Sequence, residues 1–256
     1  MSFLIDTSVF AGYWPFRHLN HRDPEQLKQY LLSRGVAQAW VSSAEAILYP
    51  DPMQGNWPLL MATREDAFFV PVTLVDITLA TWRKDAEQCI TRLGSRAIKI
   101  TPNYHSYPLD HPSLGELATV ASDLNLPLCI QVRMMDERTH HPLMKVPGVP
   151  PAQIAKLAEQ HPGTRFLVCG VYMSELKALN EVPNIWCEIS HVEASQSLIV
   201  ATRSFPWQRL VFGSHSPFLY FEGAHQKLDV KTEGLAAKQI DAIRQANALA
   251  LLNPPT

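Results

Sequence analysis

A histidine that follows a short apolar segment is the residue of this chain best placed for proton-transfer chemistry. Residues 209–212 leave no room for a helix before Gly213 and Pro217 interrupt the chain, so they predict a strand that ends shortly before His215. In α/β barrels, groups just past the strand ends carry the chemistry. An imidazole titrates near neutral pH, so His215 is the candidate general base or acid. Fixation in the core by hydrogen bonds is the alternative.

Three further ionisable residues stand beside or inside predicted strands. Asp6 follows the first apolar segment, where it orients His215 or holds a cationic group, or else caps the next loop. Lys99 interrupts an apolar segment, and a buried ammonium requires a partner. We expect Lys99 to bind a substrate carboxylate or form a Schiff base, with a pair to Glu188 as the alternative. Glu188 ends its own segment and is a second acid for the mouth of a barrel, or a surface salt-bridge partner.

Two long segments that contain proline, residues 12–24 and 133–151, carry candidate substrate contacts. Arg133 has the paired donors that clamp a carboxylate, or it enters an ion-pair network with the acidic residues of its own loop. Trp14 and Arg17 suit an aromatic or unsaturated carboxylate, with ordinary packing at the rim as the alternative. The remaining candidates for hydrogen bonds to a substrate are Tyr104, His105 and Gln131.

Composition predicts one globular domain over residues 1–256, because 256 residues with 46% hydrophobic content can build a sizeable core. The net charge of −2, without a basic block, argues against nucleic acid as a partner. No apolar run reaches the ~20 residues that cross a bilayer, and the N-terminus lacks signal-peptide features, so we expect a cytoplasmic protein without a membrane partner. The cysteines show no Cys-x-x-Cys spacing, which predicts reduced thiols in the core: Cys89, Cys129, Cys169 and Cys187.

Short apolar segments alternate with segments of helical periodicity along the whole chain. The predicted strands are residues 3–5, 37–41, 68–74, 97–100, 127–132, 166–169, 185–189 and 210–212. Several are continuous apolar runs, which is typical of parallel strands buried on both faces. This alternation predicts an α/β protein with a single (β/α)8 TIM barrel, whose mouth both long segments cover. An open doubly wound sheet is the alternative, and the lack of Gly-x-Gly-x-x-Gly weakens it.

Five segments follow one another in an order and spacing that resemble a known family. Residues 6–15 (DTSVFAGYWP) are similar to an opening Asp-x-His-x-His followed by glycine. Residues 97–110, 124–131, 161–168 and 247–252 resemble the fourth, fifth and sixth strands and the terminal helix of the same family. On these segments the chain resembles the amidohydrolase-related TIM-barrel hydrolases and decarboxylases.

The resemblance implies a divalent metal ion held by histidines, with a final aspartate as ligand and base. At the corresponding positions this chain has Asp6, Ser8, Phe10, Gln131, Gly170 and His215, of which Asp6 alone matches the family. Phenylalanine cannot ligate a metal ion, and serine and glutamine are poor zinc ligands beside histidine. We therefore predict no metal cofactor. If a metal is present, a divalent ion such as zinc on relocated ligands, for example Asp6, Glu188 and His215, is the alternative.

These residues predict a hydrolase that works without a metal, and the family resemblance implies a small carboxylated ester or lactone as its substrate. His215 activates water, Asp6 orients the imidazole, and Lys99 or Arg133 binds the anionic end of the substrate. Two alternatives stay open: a non-catalytic barrel that binds a small acid, and a metal-dependent hydrolase or decarboxylase with relocated ligands. The expected partner is a small anionic molecule, and homo-oligomers are left open.

Overall fold

Eight parallel strands in sequential order form a barrel. The computed structural model describes residues 3–143, 145–229 and 234–253. The strands are β1 (Leu4–Ala11), β2 (Val36–Ser43), β3 (Phe69–Leu74), β4 (Ala97–Ile100), β5 (Leu128–Gln131), β6 (Phe166–Cys169), β7 (Ile185–Glu188) and β8 (Leu210–Val211). Hydrogen bonds from Thr7 N to Phe212 O (2.9 Å) and from His215 N to Ser8 O (2.8 Å) join the first strand to the last. The predicted (β/α)8 barrel is confirmed.

Helices alternate with the strands and surround the barrel. They are α1 (Pro24–Ser33), α2 (Met53–Thr63), α3 (Trp82–Thr91), α4 (Pro112–Asp123), α5 (Pro151–Gln160), α6 (Leu176–Leu179), α7 (Ser197–Ala201) and α8 (Phe221–His225). The C-terminal helical segment consists of Ala237–Asp241, a π-helical turn Ala242–Ala246, and Asn247–Leu252. No helix in residues 3–143, 145–229 and 234–253 is long and apolar enough to cross a membrane.

Strand alternation decides which side chains enter the barrel. In β4, Ile98 and Ile100 pack outward with the helices, whereas Ala97 belongs to the inner apolar cluster. Lys99 is two residues beyond Ala97 and therefore shares its inward side. The same alternation turns Gln131 inward.

The first strand is longer than its apolar residues suggest. It was predicted at residues 3–5, with Asp6 at its end, but it continues to Ala11, and Asp6 is the third residue of the strand. The polar residues Thr7 and Ser8 are buried and extend the strand because segment 212–216 offers backbone partners; for example, Thr7 Oγ1 donates to Phe212 O at 2.8 Å.

Apolar groups close both ends of the barrel. At the N-terminal end of the strands, Leu251 and Leu252 pack on the inner cluster, and Arg165 just before β6 donates to Leu251 O at 2.8 Å. At the other end lie four buried residues that we call the mouth plug, namely Phe10, Trp14, Met134 and Phe218. The Phe218 ring is edge-on to the Phe10 and Trp14 rings, with centroids at 5.3 and 5.2 Å. Between these ends lie the inner apolar cluster and several buried polar side chains.

All four cysteines are free and buried. Two of them, Cys129 and Cys169, face the barrel interior. Burial raises the pKa of the Cys89 and Cys129 thiols to about 11 and raises those of Cys169 and Cys187 well above the ordinary thiol value. The predicted reduced core thiols agree with this arrangement.

Candidate functional site

Five of the predicted polar side chains are buried in the protein, each at most 1% exposed. We call Asp6, Lys99, Gln131, Glu188 and His215 the polar layer. They come from β1, β4, β5, β7 and the segment after β8, so the barrel brings together five residues that the sequence predicted. The mouth plug separates this layer from solvent.

His215 follows the last strand, as predicted, but it lies fully inside the protein. Its backbone has a φ of +57°, and its Nε2 is 2.8 Å from the Met134 carbonyl oxygen. A carbonyl only accepts, so Nε2 carries the proton and Nδ1 has a free lone pair. Nδ1 is buried without a hydrogen-bond partner among the described residues. Burial, with His191 beside it, holds the pKa of His215 well below its usual range. The neutral ring therefore has base character but no open path to solvent.

Asp6 is the second candidate catalytic group and is also fully buried. Its Oδ1 accepts hydrogen bonds from Ser8 N at 3.2 Å and Ser214 N at 2.9 Å. Its Oδ2 has no partner in the part of the chain that the structure describes. Burial raises the pKa of Asp6 to about 7, and the nearby Glu188 carboxylate adds to this rise. Asp6 is thus half protonated near neutral pH.

Lys99 lies between an amide and an aromatic ring. Its Nζ is 3.3 Å from Gln131 Oε1 and 4.3 Å from the centroid of the Phe10 ring. Within residues 3–143, 145–229 and 234–253 it forms no salt bridge with Glu188, which was the alternative partner considered for this lysine. The ammonium is therefore held by a neutral acceptor and a π face.

Glu188 ends β7, as predicted, and is tied to the backbone around it. It accepts hydrogen bonds from Gly170 N, from Ser190 N at 2.6 Å, and from Ser190 Oγ at 2.8 Å. A Cβ on Gly213 would lie 2.7 Å from Glu188 Oε2, so only glycine fits beside this carboxylate. Burial raises the pKa of Glu188, and the hydrogen bonds oppose that rise.

His191 and Lys227 belong to the same region and were not among the predicted site residues. His191 Nδ1 is 2.8 Å from Ser190 Oγ, and its ring centroid is 5.0 Å from that of His215. Burial lowers the pKa of His191 to about 4. Lys227 Nζ donates to Ile189 O and Ser190 O, both at 2.8 Å. The Ser190-His191 pair after a strand end is a visible signal in the sequence, whereas Lys227 lies far from any strand.

Arg133 takes part in a buried ion-pair network. Its guanidinium contacts both carboxylate oxygens of Glu175 at 2.6 and 2.8 Å, donates to Gly170 O, and lies 3.7 Å from the Tyr172 ring centroid. It also contacts Glu137 at 3.3 Å. These contacts use the donors that a substrate clamp requires. The observed state is therefore an ion-pair network, but its closest acid is Glu175 after β6, while Glu137 contributes from the loop that carries Arg133 and Asp136 pairs with Arg138. The substrate contact of Arg133 stays a prediction.

Above the plug, the two long loops enclose a mouth cavity of about 500 Å³. Trp14 and Phe16 come from the loop after β1, Tyr104 from the loop after β4, and Met135 and Lys145 from the loop after β5. Burial raises the pKa of Tyr104 to about 12, so its phenol is neutral. The indole nitrogen of Trp14 is buried without a hydrogen-bond partner among the described residues. Trp14 and Tyr104 therefore line a cavity, as predicted for substrate contacts.

Two other predicted contacts lie outside this cavity lining. Arg17 donates to the Phe218 carbonyl and stacks 5.9 Å from that ring, so it secures the plug from above. His105 Nε2 is 3.2 Å from Ile47 O, and its Nδ1 is 3.8 Å from Asp76 Oδ1. Burial lowers the pKa of His105. Both residues connect loops in this structure.

The polar layer does not fit the metal ion that the family resemblance implies. Phe10 presents a ring, and Gly170 has a φ of +76°, where a Cβ would lie 2.9 Å from Arg133 O. The residue at position 170 is glycine, and the backbone geometry there would not accept a histidine in its place. In the described ranges, no three His, Cys, Asp or Glu side chains are grouped to hold a metal ion, and this includes the set of Asp6, Glu188 and His215.

Comparison with solved structures shows the same fold in decarboxylases. The 2,6-dihydroxybenzoate decarboxylase from Rhizobium superposes with a TM-score of 0.71 at 15% identity, over 98% of this chain and 99% of that one. The 5-carboxyvanillate decarboxylase from Sphingomonas paucimobilis gives 0.74 at 13% identity, over 98% and 99%. A dihydroxybenzoic acid decarboxylase from Polaromonas sp. JS666, with bound manganese and the inhibitor 2-nitroresorcinol, gives 0.73 at 16% identity, over 98% and 97%.

At these identities the superpositions establish the fold and leave the activity open. Among curated proteins, no sequence matches this chain. The sequence model of the amidohydrolase family matches residues 23–253, which is most of the chain. The chain therefore belongs to the amidohydrolase family.

Proposed function

We propose that this barrel binds a small aromatic carboxylic acid in its mouth cavity and does so without a metal ion. The observation that carries the proposal is the cavity wall, which combines aromatic side chains with a lysine, and the indole N–H of Trp14 is buried beneath that wall without a partner among the described residues. Cavities that are mostly apolar, with a few convergent polar groups, are typical small-molecule sites.

The chemistry of the wall favours an aromatic acid over an aliphatic one. Trp14 and Tyr104 offer ring faces and edges, and their own centroids are 6.0 Å apart. The Trp14 N–H is a donor for a carboxylate or hydroxyl oxygen, and Lys145 supplies positive charge. Relatives of the same fold are named for hydroxylated or methoxylated benzoates, which combine these features.

Binding alone agrees better with the interior than turnover does. His215 and Asp6 are each 0% exposed, and His215 Nε2 is engaged by Met134 O. A ligand above the plug does not contact either group. The non-catalytic alternative of the sequence analysis is therefore the function that we favour.

Isothermal titration with 2,6-dihydroxybenzoate as the probe tests this proposal. We expect saturable binding of one equivalent, and about tenfold weaker binding in Trp14→Phe, which keeps a ring and removes the N–H. Trp40→Phe is the matched control, because its indole nitrogen is also buried without a described partner but lies in the inner cluster. No saturable binding, or equal losses in both variants, would contradict the proposal.

The charge of Lys145 is tested in the same titration. Lys145→Met should weaken the binding of the acid several-fold and leave the binding of the corresponding primary amide unchanged, because only the carboxylate carries a charge. Lys84→Met, on the exposed side of α3, should change neither affinity. A loss of affinity of the same size for the acid and the amide would show that the charge of Lys145 does not contribute to binding.

A second candidate function is the hydrolysis of a small carboxylated ester or lactone. The unpartnered Nδ1 of His215 and Oδ2 of Asp6 favour it, because a neutral imidazole is a competent base once water reaches it. This mechanism requires displacement of the mouth plug. Turnover of a lactone panel that is lost in His215→Gln and retained in His225→Gln would support it. Turnover that persists in His215→Gln would exclude this histidine.

A further inference from the structure

We infer that the ammonium of Lys99 supplies, from within the chain, the fixed positive charge that a divalent ion would provide in a metal-binding member of this family. Its two close contacts in the barrel, Phe10 and Gln131, occupy two of the positions at which the resemblance implies metal ligands. The ammonium therefore stands among the same strand positions as the expected ion. This inference is independent of which molecule occupies the mouth cavity.

The residue types around Lys99 suit an ammonium ion better than a transition metal. The amide oxygen of Gln131 accepts a hydrogen bond from Nζ at 3.3 Å, and the Phe10 ring presents its π electrons at 4.3 Å. An ammonium ion gains from both contacts, because it has N–H donors and a compact charge. A zinc or manganese ion gains little from an amide and nothing from a phenyl ring.

The rest of the polar layer agrees with a built-in cation. His215 and His191 are neutral, and the positive charge of Lys99 contributes to the low pKa of His215. Asp6 and Glu188 are the acidic groups of the polar layer, and burial raises the pKa of both, which favours their neutral forms. A divalent cation entering this layer would meet the repulsion of Lys99 at short range in a medium of low dielectric constant.

Metal analysis of the untagged protein is the first test. After dialysis against Mn²⁺ or Zn²⁺ and gel filtration, we expect far less than one equivalent of either ion by plasma mass spectrometry. We also expect the same Tm with EDTA and with added Mn²⁺, because a ligand at a site of the folded state would raise Tm. Near-stoichiometric metal that is lost in Asp6→Asn, with a Tm that falls in EDTA, would overturn the inference. Acid binding in the mouth cavity is measured separately, so either proposal can fail alone.

A double-mutant cycle is the second test, with Phe10→Leu and Lys99→Met as the single variants. If the ammonium interacts with the ring, the two changes are non-additive by about tenfold in the unfolding equilibrium constant. Phe166→Leu, another buried phenylalanine that packs outward on β6, should be additive with Lys99→Met. Additive behaviour in the Phe10 cycle would overturn the inference even if no metal binds.

Discussion

At the scale of single residues, burial sets the protonation states of the polar layer. Desolvation disfavours charge, so the pKa of Asp6 rises to about 7, while those of His191 and His215 fall. Burial therefore favours the uncharged form of the carboxyl group and of both imidazole groups. Lys99 keeps its contacts with an acceptor and a ring, which makes it the charge around which the neutral groups are arranged.

Asp6 should make the protein less stable as the pH rises. Its pKa is about 7 in the folded protein and 3.8 without burial, so the folded state binds more protons between these values. The stabilising contribution is complete below pH ~4 and is lost as the pH rises through ~7, by on the order of 4 kcal/mol. Asp6→Asn should remove this dependence and keep the Oδ1 acceptor.

Urea unfolding of wild type and Asp6→Asn at pH 5 and pH 8 measures the effect. The difference between the two proteins is the informative quantity, because His191 and His215 act in the opposite direction below pH ~6.5 in both. We expect the free energy of unfolding of Asp6→Asn, relative to that of wild type, to be higher at pH 8 than at pH 5. An equal difference at both pH values would show that Asp6 does not titrate in this range.

At the scale of elements, the loop after β5 is attached to the turn after β6 by one buried arginine. Arg133, on the first, is 2% exposed and contacts Glu175, Gly170 and the Tyr172 ring on the second. The same loop carries Met134, which contacts His215, and Met135, which lines the mouth cavity. The ion pair thus positions the plug and the cavity wall together.

Removal of this attachment should destabilise the protein strongly. Arg133→Met leaves the Glu175 carboxylate without its cationic partner, and we expect a loss of about 3 kcal/mol in the free energy of unfolding. Arg83→Met breaks the exposed pair with Glu116 and should lose less than about 1 kcal/mol. Guanidinium denaturation curves of both variants test the contrast, and equal losses would mean that burial does not strengthen the Arg133 pair.

The tight turn after β6 should tolerate only glycine at position 170, and substitution there should reduce stability. Gly170→Ala places a Cβ 2.9 Å from Arg133 O at a φ of +76°, whereas Gly35→Ala, at +81°, meets nothing within 4 Å. Gly35→Ala should lose about 1 kcal/mol from backbone strain alone, and Gly170→Ala about 2 kcal/mol more from the steric contact. Thermal unfolding measures both. Equal losses would show that the turn relaxes.

At the scale of the whole molecule, the sequence was sufficient for the fold. β4 and β6 were predicted residue for residue, because short, mostly apolar segments flanked by polar turns have few alternative structures. Strand β1 was predicted too short, since Thr7 and Ser8 read as loop residues and their partners lie more than two hundred positions away in the chain. Local patterns cannot show a partner that is brought close only when the barrel closes.

The sequence was sufficient to predict which residues belong to the site, but not the contacts that these residues make. The inward positions of Lys99, Gln131 and Glu188 follow from strand alternation, and His215 follows from its place after β8. The sequence could not show that Met134 O would accept a hydrogen bond from His215 Nε2. Nor could it show that Arg133 would pair with Glu175 on a different loop. Those contacts depend on loop conformation, which short-range periodicity does not encode.

All four thiols are buried, so their chemical reactivity reports on local or global opening of the fold. With raised pKa values and no access to solvent, none should react with an aromatic disulfide reagent in the native protein, and all should react after denaturation. Cys89 lies outside the barrel against Leu60 and Leu93, whereas Cys169 faces its interior. Labelling followed by mass spectrometry should therefore distinguish detachment of α3, which frees Cys89 first, from rupture of the sheet, which frees both together.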